Sequence, residues 1–214
     1  MMWSAERYGE LCRDYETAWS ATDEVLYRLC QERPDHQSPN SVNAKLQIIG
    51  RTYATGIERN IQTAGTQGSS LSQLAAHVLA RGREIDAMFG RLAKVAEPLT
   101  PGKLATIVAE HGGFVKLLRP VLRSARSPRA FASKYMHFHC PAVPIFDSVA
   151  SAAIRKLVPW DRSLAVFDPP PDADSEYAWF VMRFWSLYEQ ARRDHPSVRV
   201  KLLDNYLLSA GGSP

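Results

Sequence analysis

Lys134, His137, His139, Cys140 and Asp147 fall within one short stretch, SKYMHFHCPAVPIFDS, together with Pro141 and Pro144. A lysine offers an amine nucleophile or a phosphate contact, and a carboxylate offers a base or a counter-charge to a developing cation. Imidazole and thiolate suit zinc, but positions 137 and 139 of a helix point to different sides and a fourth ligand has no source, so neither metal nor cofactor is assigned. One of the two histidines is expected to be buried with its ring hydrogen-bonded. The other is expected at the surface beside Asp147, within reach of a phosphate or a base.

The prolines decide how these groups are held. Neither can continue a helix, and each biases the residue before it, Cys140 and Val143, toward extended backbone. The helix carrying Lys134 must therefore stop near His139, the chain must cross AVPIF in extended form, and a new helix must begin at Asp147. An aspartate there accepts hydrogen bonds from the free amides of the first turn, and the helix dipole keeps it ionised. Two roles are open to it: a cap alone, or a cap whose charge also faces a cleft and stabilises a cation.

Upstream, Lys116, Arg119, Arg123, Arg126, Arg129 and Lys134 follow one another with no acidic residue between them. Positions 119, 123 and 126 share a helical face if Pro120 sits in the first turn of its helix, and such a face either tracks a phosphate backbone or is simply solvated. Arg51, Thr55 and Arg59 likewise fall together on one face of a helix, as surface ion pairs or as an anion-binding face. Tyr177, Trp179, Phe180, Phe184, Trp185 and Tyr188 are spread around a single helix, the pattern of core packing more than of base stacking.

The elements that must position these residues are helical. Apolar spacings of three and four predict one long helix over 5–32 and a second from an Asn40 or Ser41 cap through Ile57. A third is expected from a Ser70 or Ser72 cap to Glu97, with a break or a close crossing at Gly82 or Gly90. A short helix closed by Gly112 and Gly113 follows, then two pieces interrupted at Pro120 and Pro128, and helices over 147–158, 175–193 and 197–210. Residues 209–214 read as a frayed end. SLAVF is the only hint of strand alternation, and there is no internal repeat. The expected fold is all-α, a single domain spanning 1–214.

The 214 residues are 45% hydrophobic and 22% charged, with a net charge of +4 and three scattered cysteines. That is the composition of a soluble protein with reduced thiols, expected in the cytoplasm, with no membrane-spanning run and a mild tolerance for polyanions. No P-loop, dinucleotide-binding glycine motif, nucleophile elbow or H-E-x-x-H motif is present, so the chemistries those motifs serve have no support.

The order of features around Asp147, a lysine in one helix, a proline-bounded turn and then PIFDSVASAAI opening the next, resembles the helix-hairpin-helix family of DNA glycosylases. The resemblance covers residues 125 to 157. It implies an all-helical fold, DNA as the partner, Lys134 as the nucleophile that forms a Schiff base with the sugar, and Asp147 as the carboxylate beside the oxocarbenium-like transition state. The family's L-P-G-x-G hairpin is replaced by RSARSPRAFAS, and no iron-sulfur cysteine cluster follows. The phrase S-K-x-x-H-F-x-x-P-x-x-P-I-x-D-S also resembles uncharacterised bacterial proteins.

Two functions follow. In one, the chain binds DNA through the 116–134 basic run and cleaves an N-glycosidic bond with Asp147 and Lys134, with His137, His139, Arg51 and Arg59 as neighbours of the site. In the other, it is a helical binding or regulatory protein without chemistry, whose basic face meets a protein partner.

Overall fold

A computed structural model describes residues 4–18, 20–53, 55–62, 69–123 and 127–212, with backbone alone at 11–12, 15–18, 20 and 212. Among them are eleven α-helices: α1 (Ala5–Ala18), α2 (Ser20–Glu32), α3 (Pro39–Gln47), α4 (Ile57–Asn60), α5 (Ser70–Ala80), α6 (Gly82–Leu92), α7 (Pro101–Leu118), α8 (Arg129–His139), α9 (Ser148–Leu157), α10 (Ser175–Asp194) and α11 (Val200–Gly212). The described residues form no β-strand; Ile61 and Leu122 make an isolated bridge, and SLAVF is a 3-10 turn over Arg162–Leu164 with its ends. The all-α expectation is met in one domain built on a continuous buried core.

Helix starts follow the capping chemistry. Ser38, Ser69, Thr100, Asp147 and Asp174 each accept a hydrogen bond from an amide of the turn that follows. The second and third helices therefore begin earlier than expected from Asn40, Ser41, Ser70 or Ser72. Pro39 explains the first shift, because its fixed φ suits the first helical position and leaves Ser38 as the cap.

Several boundaries differ from expectation. The helix foreseen through Ile57 instead ends in a π-helical turn at Ile48–Thr52, and the chain turns at Gly56, whose φ of 68° is left-handed, before the short α4. The third helix breaks at Arg81, just where Gly82 passes the His36 carbonyl so closely that a Cβ would lie 2.5 Å from its oxygen. Gly112 does not end α7; it lets the Asp172 carbonyl approach to within 2.8 Å of where a Cβ would stand, and the helix runs on to Leu118. Of the end expected to fray, residues 209–212 continue α11, with Gly211 flush on Val149 of α9, and 213–214 lie outside the described residues.

The packing places the opening stretch at the centre. α8 packs on α2 and α7, α9 on α10 and α11, and α10 also on α7. On α10, Tyr177, Phe180, Phe184 and Tyr188 are buried as expected, while Trp179 is exposed and Trp185 only partly covered. No helix among the described residues is long and apolar enough to cross a membrane.

Candidate functional site: a cleft around Lys134 and Asp147

Three side chains fix the extended segment between α8 and α9. His137 Nδ1–H donates to the Val143 carbonyl at 2.7 Å, Tyr177 donates its hydroxyl proton to the Pro144 carbonyl at 2.8 Å, and Ser133 Oγ accepts from the Phe146 amide at 2.9 Å. Ser133 and His137 stand one helical turn apart on the same face of α8, so both reach the chain that returns beside it. The serine and the first histidine of the S-K-x-x-H phrase are thus positioning groups.

Lys134, between them in sequence, reaches the end of that segment. Its Nζ donates to Asp147 Oδ2 at 3.2 Å and to the Tyr53 carbonyl at 3.1 Å. Asp147 uses its other oxygen as the α9 cap, accepting from the Val149 amide at 2.8 Å. The lysine side chain is 12% exposed and the aspartate 24%, so the pair is reachable from solvent without being freely solvated.

The pair opens into a cleft of about 460 Å³, within the range of small-molecule sites. Its far wall is Thr55 to Asn60, its near wall Ser127 to Phe131 and the Phe146 to Ser148 corner. Among the described residues no side chain caps α8, whose first turn borders the same space. Arg59 stands exposed on the wall opposite, with no ion-pair partner among the described residues. Arg129 is otherwise occupied: it holds Asp174 at 3.0 Å and Glu176 at 2.5 Å. The N-terminus of α8 and an unengaged guanidinium make this an anion-attracting cleft.

Beneath it lies a set of buried charges that the sequence reading missed. The Tyr53 hydroxyl donates to Asp23, Lys201 pairs with Asp23 at 3.2 Å, and Lys201 also lies 3.7 Å from Asp204. Burial pushes the Asp204 carboxyl up to about 6, against the pull of Lys201 and Lys134. The readable signal was position: Asp23 stands on the stripe of Leu26 and Cys30, and Asp204 on that of Val200, Leu203 and Leu207, all of them buried. A carboxylate where a helix should show an aliphatic residue needs a partner or a purpose.

The remaining sequence candidates are distributed otherwise. His137 is buried, and His139 is half-buried with its ring against His36, Phe89 and Tyr135, so neither lies at the surface beside Asp147. Tyr27 donates to His137 Nε2 at 2.5 Å, which with the Nδ1–H bond fixes the neutral tautomer, and burial lowers its pKa to about 3. His139 stacks on His36 and Tyr135 in the core and is held well below the usual histidine range by the same cause. Arg51 pairs with Glu58 at 2.9 Å and does not line the cleft; the π-helical turn takes it off the face it was to share with Thr55 and Arg59.

The basic run is not one stripe. α7 ends at Leu118, Arg119 lies in a 3-10 turn and Arg123 in a bend whose amide bonds the Asn60 carbonyl, so 119 and 123 share no helical face. Arg126 lies outside the described residues. Lys116 pairs with Asp172 at 3.1 Å, and Asp174 and Glu176 neutralise Arg129, all from the entry to α10. Acids absent between these cations in sequence are supplied in space. Among the described residues, no three His, Cys, Asp or Glu side chains are grouped as a metal site.

Compared with known families, with curated proteins and with solved structures, the chain matches none of them.

Proposed function

We propose that the chain binds DNA, seating a backbone phosphate in the cleft between Arg59 and the first turn of α8, and that Lys134 and Asp147 act there on an N-glycosidic bond. The observation that carries this reading is the 3.2 Å Lys134–Asp147 pair opening into an anion-attracting cleft. In cleavage, the Lys134 amine, having passed its proton to the departing base, bonds to the sugar C1′ as the C1′–N bond breaks and its electron pair leaves with the base. The positive charge that develops on the sugar is countered by the Asp147 carboxylate.

A second reading is favoured by one observation: every polar function of the pair already has a partner inside the fold, the lysine on Asp147 and Tyr53, the aspartate on Lys134 and the Val149 amide. The pair would then be a staple in a binding protein without chemistry.

Binding of a short labelled duplex across a salt series tests the phosphate contact. Arg59→Ala is expected to weaken binding and to reduce the salt slope by about one unit; an unchanged slope rejects this phosphate site. Borohydride trapping on duplexes carrying damaged bases tests the chemistry. A covalent adduct lost in Lys134→Ala and Asp147→Asn supports cleavage, and salt-sensitive binding with no adduct on any duplex supports the staple.

A further inference from the structure

A second cleft, of about 380 Å³, lies further along α9, where Trp160 and Trp179 stand with Arg155 and Arg183. The two indoles are 38% and 43% exposed and meet edge to face with centroids 4.2 Å apart. Large aromatic surface left in water at a concave site is the kind of apolar exposure that marks a binding surface. Neither indole belongs to the buried core that takes up most of the other α10 aromatics.

The charges beside them are cationic. The Arg183 guanidinium lies over the Trp160 ring at 5.2 Å and donates to the Val158 carbonyl at 3.1 Å, with no acid partner among the described residues. Arg155 shares its one acid, Glu176, with Arg129: the carboxylate lies 3.0 Å from Arg155 and 2.5 Å from Arg129. Two arginines and half a carboxylate leave this cleft positive, so it suits an anion that carries a flat ring.

Both clefts are built on one helix. Ser148, at the start of α9, lines the cleft of Lys134 and Asp147, while Ser151 and Arg155 line the indole cleft. At 1.5 Å rise per residue, Ser148 and Arg155 are about 10 Å apart along the axis, a distance a nucleotide or two can span. Glu176, through Arg129 and Arg155, ties the two walls together.

We propose that the Trp160–Trp179 cleft is a nucleobase site, in which an unpaired base of a DNA strand stacks on Trp179 while a neighbouring phosphate of the same strand occupies the cleft of Arg59 and α8. This rests on the phosphate reading above and specifies the ligand as single-stranded or locally unpaired. Stacking on an aromatic platform beside cations binds single strands with little regard to sequence.

The test is anisotropy titration of the full chain with a labelled oligothymidylate and with an abasic oligomer of the same length, which keeps the sugar and phosphate but has no base to stack. Trp179→Ala, at an exposed position, is expected to weaken oligothymidylate binding at least about five-fold and leave the abasic oligomer unaffected. Trp179→Phe should recover part of the loss, and Arg59→Ala should weaken both oligomers alike. If Trp179→Ala binds oligothymidylate as the unaltered chain does, the base site is overturned while an Arg59 effect still upholds the phosphate site. If Arg59→Ala changes neither oligomer, or the unaltered chain binds neither, the phosphate reading falls and the base site with it.

Discussion

Lys134 reaches the main-chain carbonyl of Tyr53 at 3.1 Å, and the hydroxyl of that same tyrosine donates to the buried carboxylate of Asp23. The lysine at the mouth of the cleft and the buried charges under it therefore hold one residue from two ends. Substitutions at the cleft should be felt in stability as well as in ligand binding, and the two effects can be separated by choosing side chains that keep one bond and lose the other.

Asp147 is the clearest case. Asparagine still caps a helix, so Asp147→Asn is expected to cost about 1 kcal/mol, from the lost ion pair alone, whereas Asp147→Ala loses the cap as well and should cost about 2 kcal/mol. Lys134→Ala, which strips the partner from a partly buried carboxylate and a hydrogen bond from the Tyr53 carbonyl, should cost about as much as Asp147→Ala. Urea unfolding of the three variants at neutral pH checks the ranking. Equal losses for Asn and Ala at 147 would mean that the cap contributes nothing.

Asp204 sets one pH dependence. Its folded pKa, about 6, lies above the unfolded carboxyl value, so its contribution to stability is full below about pH 4 and is lost as pH rises through 6. Relative to Asp204→Asn, the unaltered chain should gain on the order of 2–3 kcal/mol between pH 7 and pH 4. Denaturant midpoints of both proteins across that range give the difference directly, and a constant gap would show that Asp204 is ionised throughout.

The buried histidines act in the opposite direction. Burial lowers His36 and His111 to about 4 and His137 to about 3, all below the unfolded value near 6.5. Their stabilisation is complete above pH 6.5 and is lost as pH falls toward 4, because the unfolded chain takes up protons that the folded one refuses. Three histidines outweigh one aspartate, so the chain should be less stable at pH 5 than at pH 7. Histidine ring resonances that remain neutral at pH 5 in the folded protein would confirm the cause, and ordinary titration near 6.5 would refute it.

Two glycines of α6 should respond oppositely to alanine. Gly82→Ala drives a methyl against the His36 carbonyl, 2.5 Å away, and is expected to cost about 1–3 kcal/mol. Gly90, an exposed helical position with nothing within 4 Å of an added Cβ, should gain about 0.5–1 kcal/mol. Thermal unfolding of the pair reads both signs.

The structure is legible in the sequence where local chemistry dictates it. The stop after His139, the extended crossing and the Asp147 cap all follow from two prolines and an aspartate, and they are present. It is not legible where a distant neighbour overrides local preference. Gly112 reads as a helix end until the Asp172 carbonyl fills the space a side chain would need, and Gly211 reads as a frayed end until Val149 is seen beneath it. The same holds for the site. Arg129 reads as a free cation because Asp174 and Glu176 lie more than forty positions away in sequence, and the buried carboxylates Asp23 and Asp204 were legible only as charges out of place on apolar stripes.

The thiols of Cys30 and Cys140 carry a practical consequence. Cys140 donates to the carbonyls of Leu92, the last residue of α6, and of Val95 beyond it, and Cys30 is sealed in the core with its thiol pushed up to about 12. Neither can form the thiolate that alkylating reagents require while the helices around it stay closed. Modification at these two sites would therefore count openings of the bundle, and their relative labelling rates would show whether α2 loosens from α8 before the end of α8 parts from the chain after α6, or both let go in a single event.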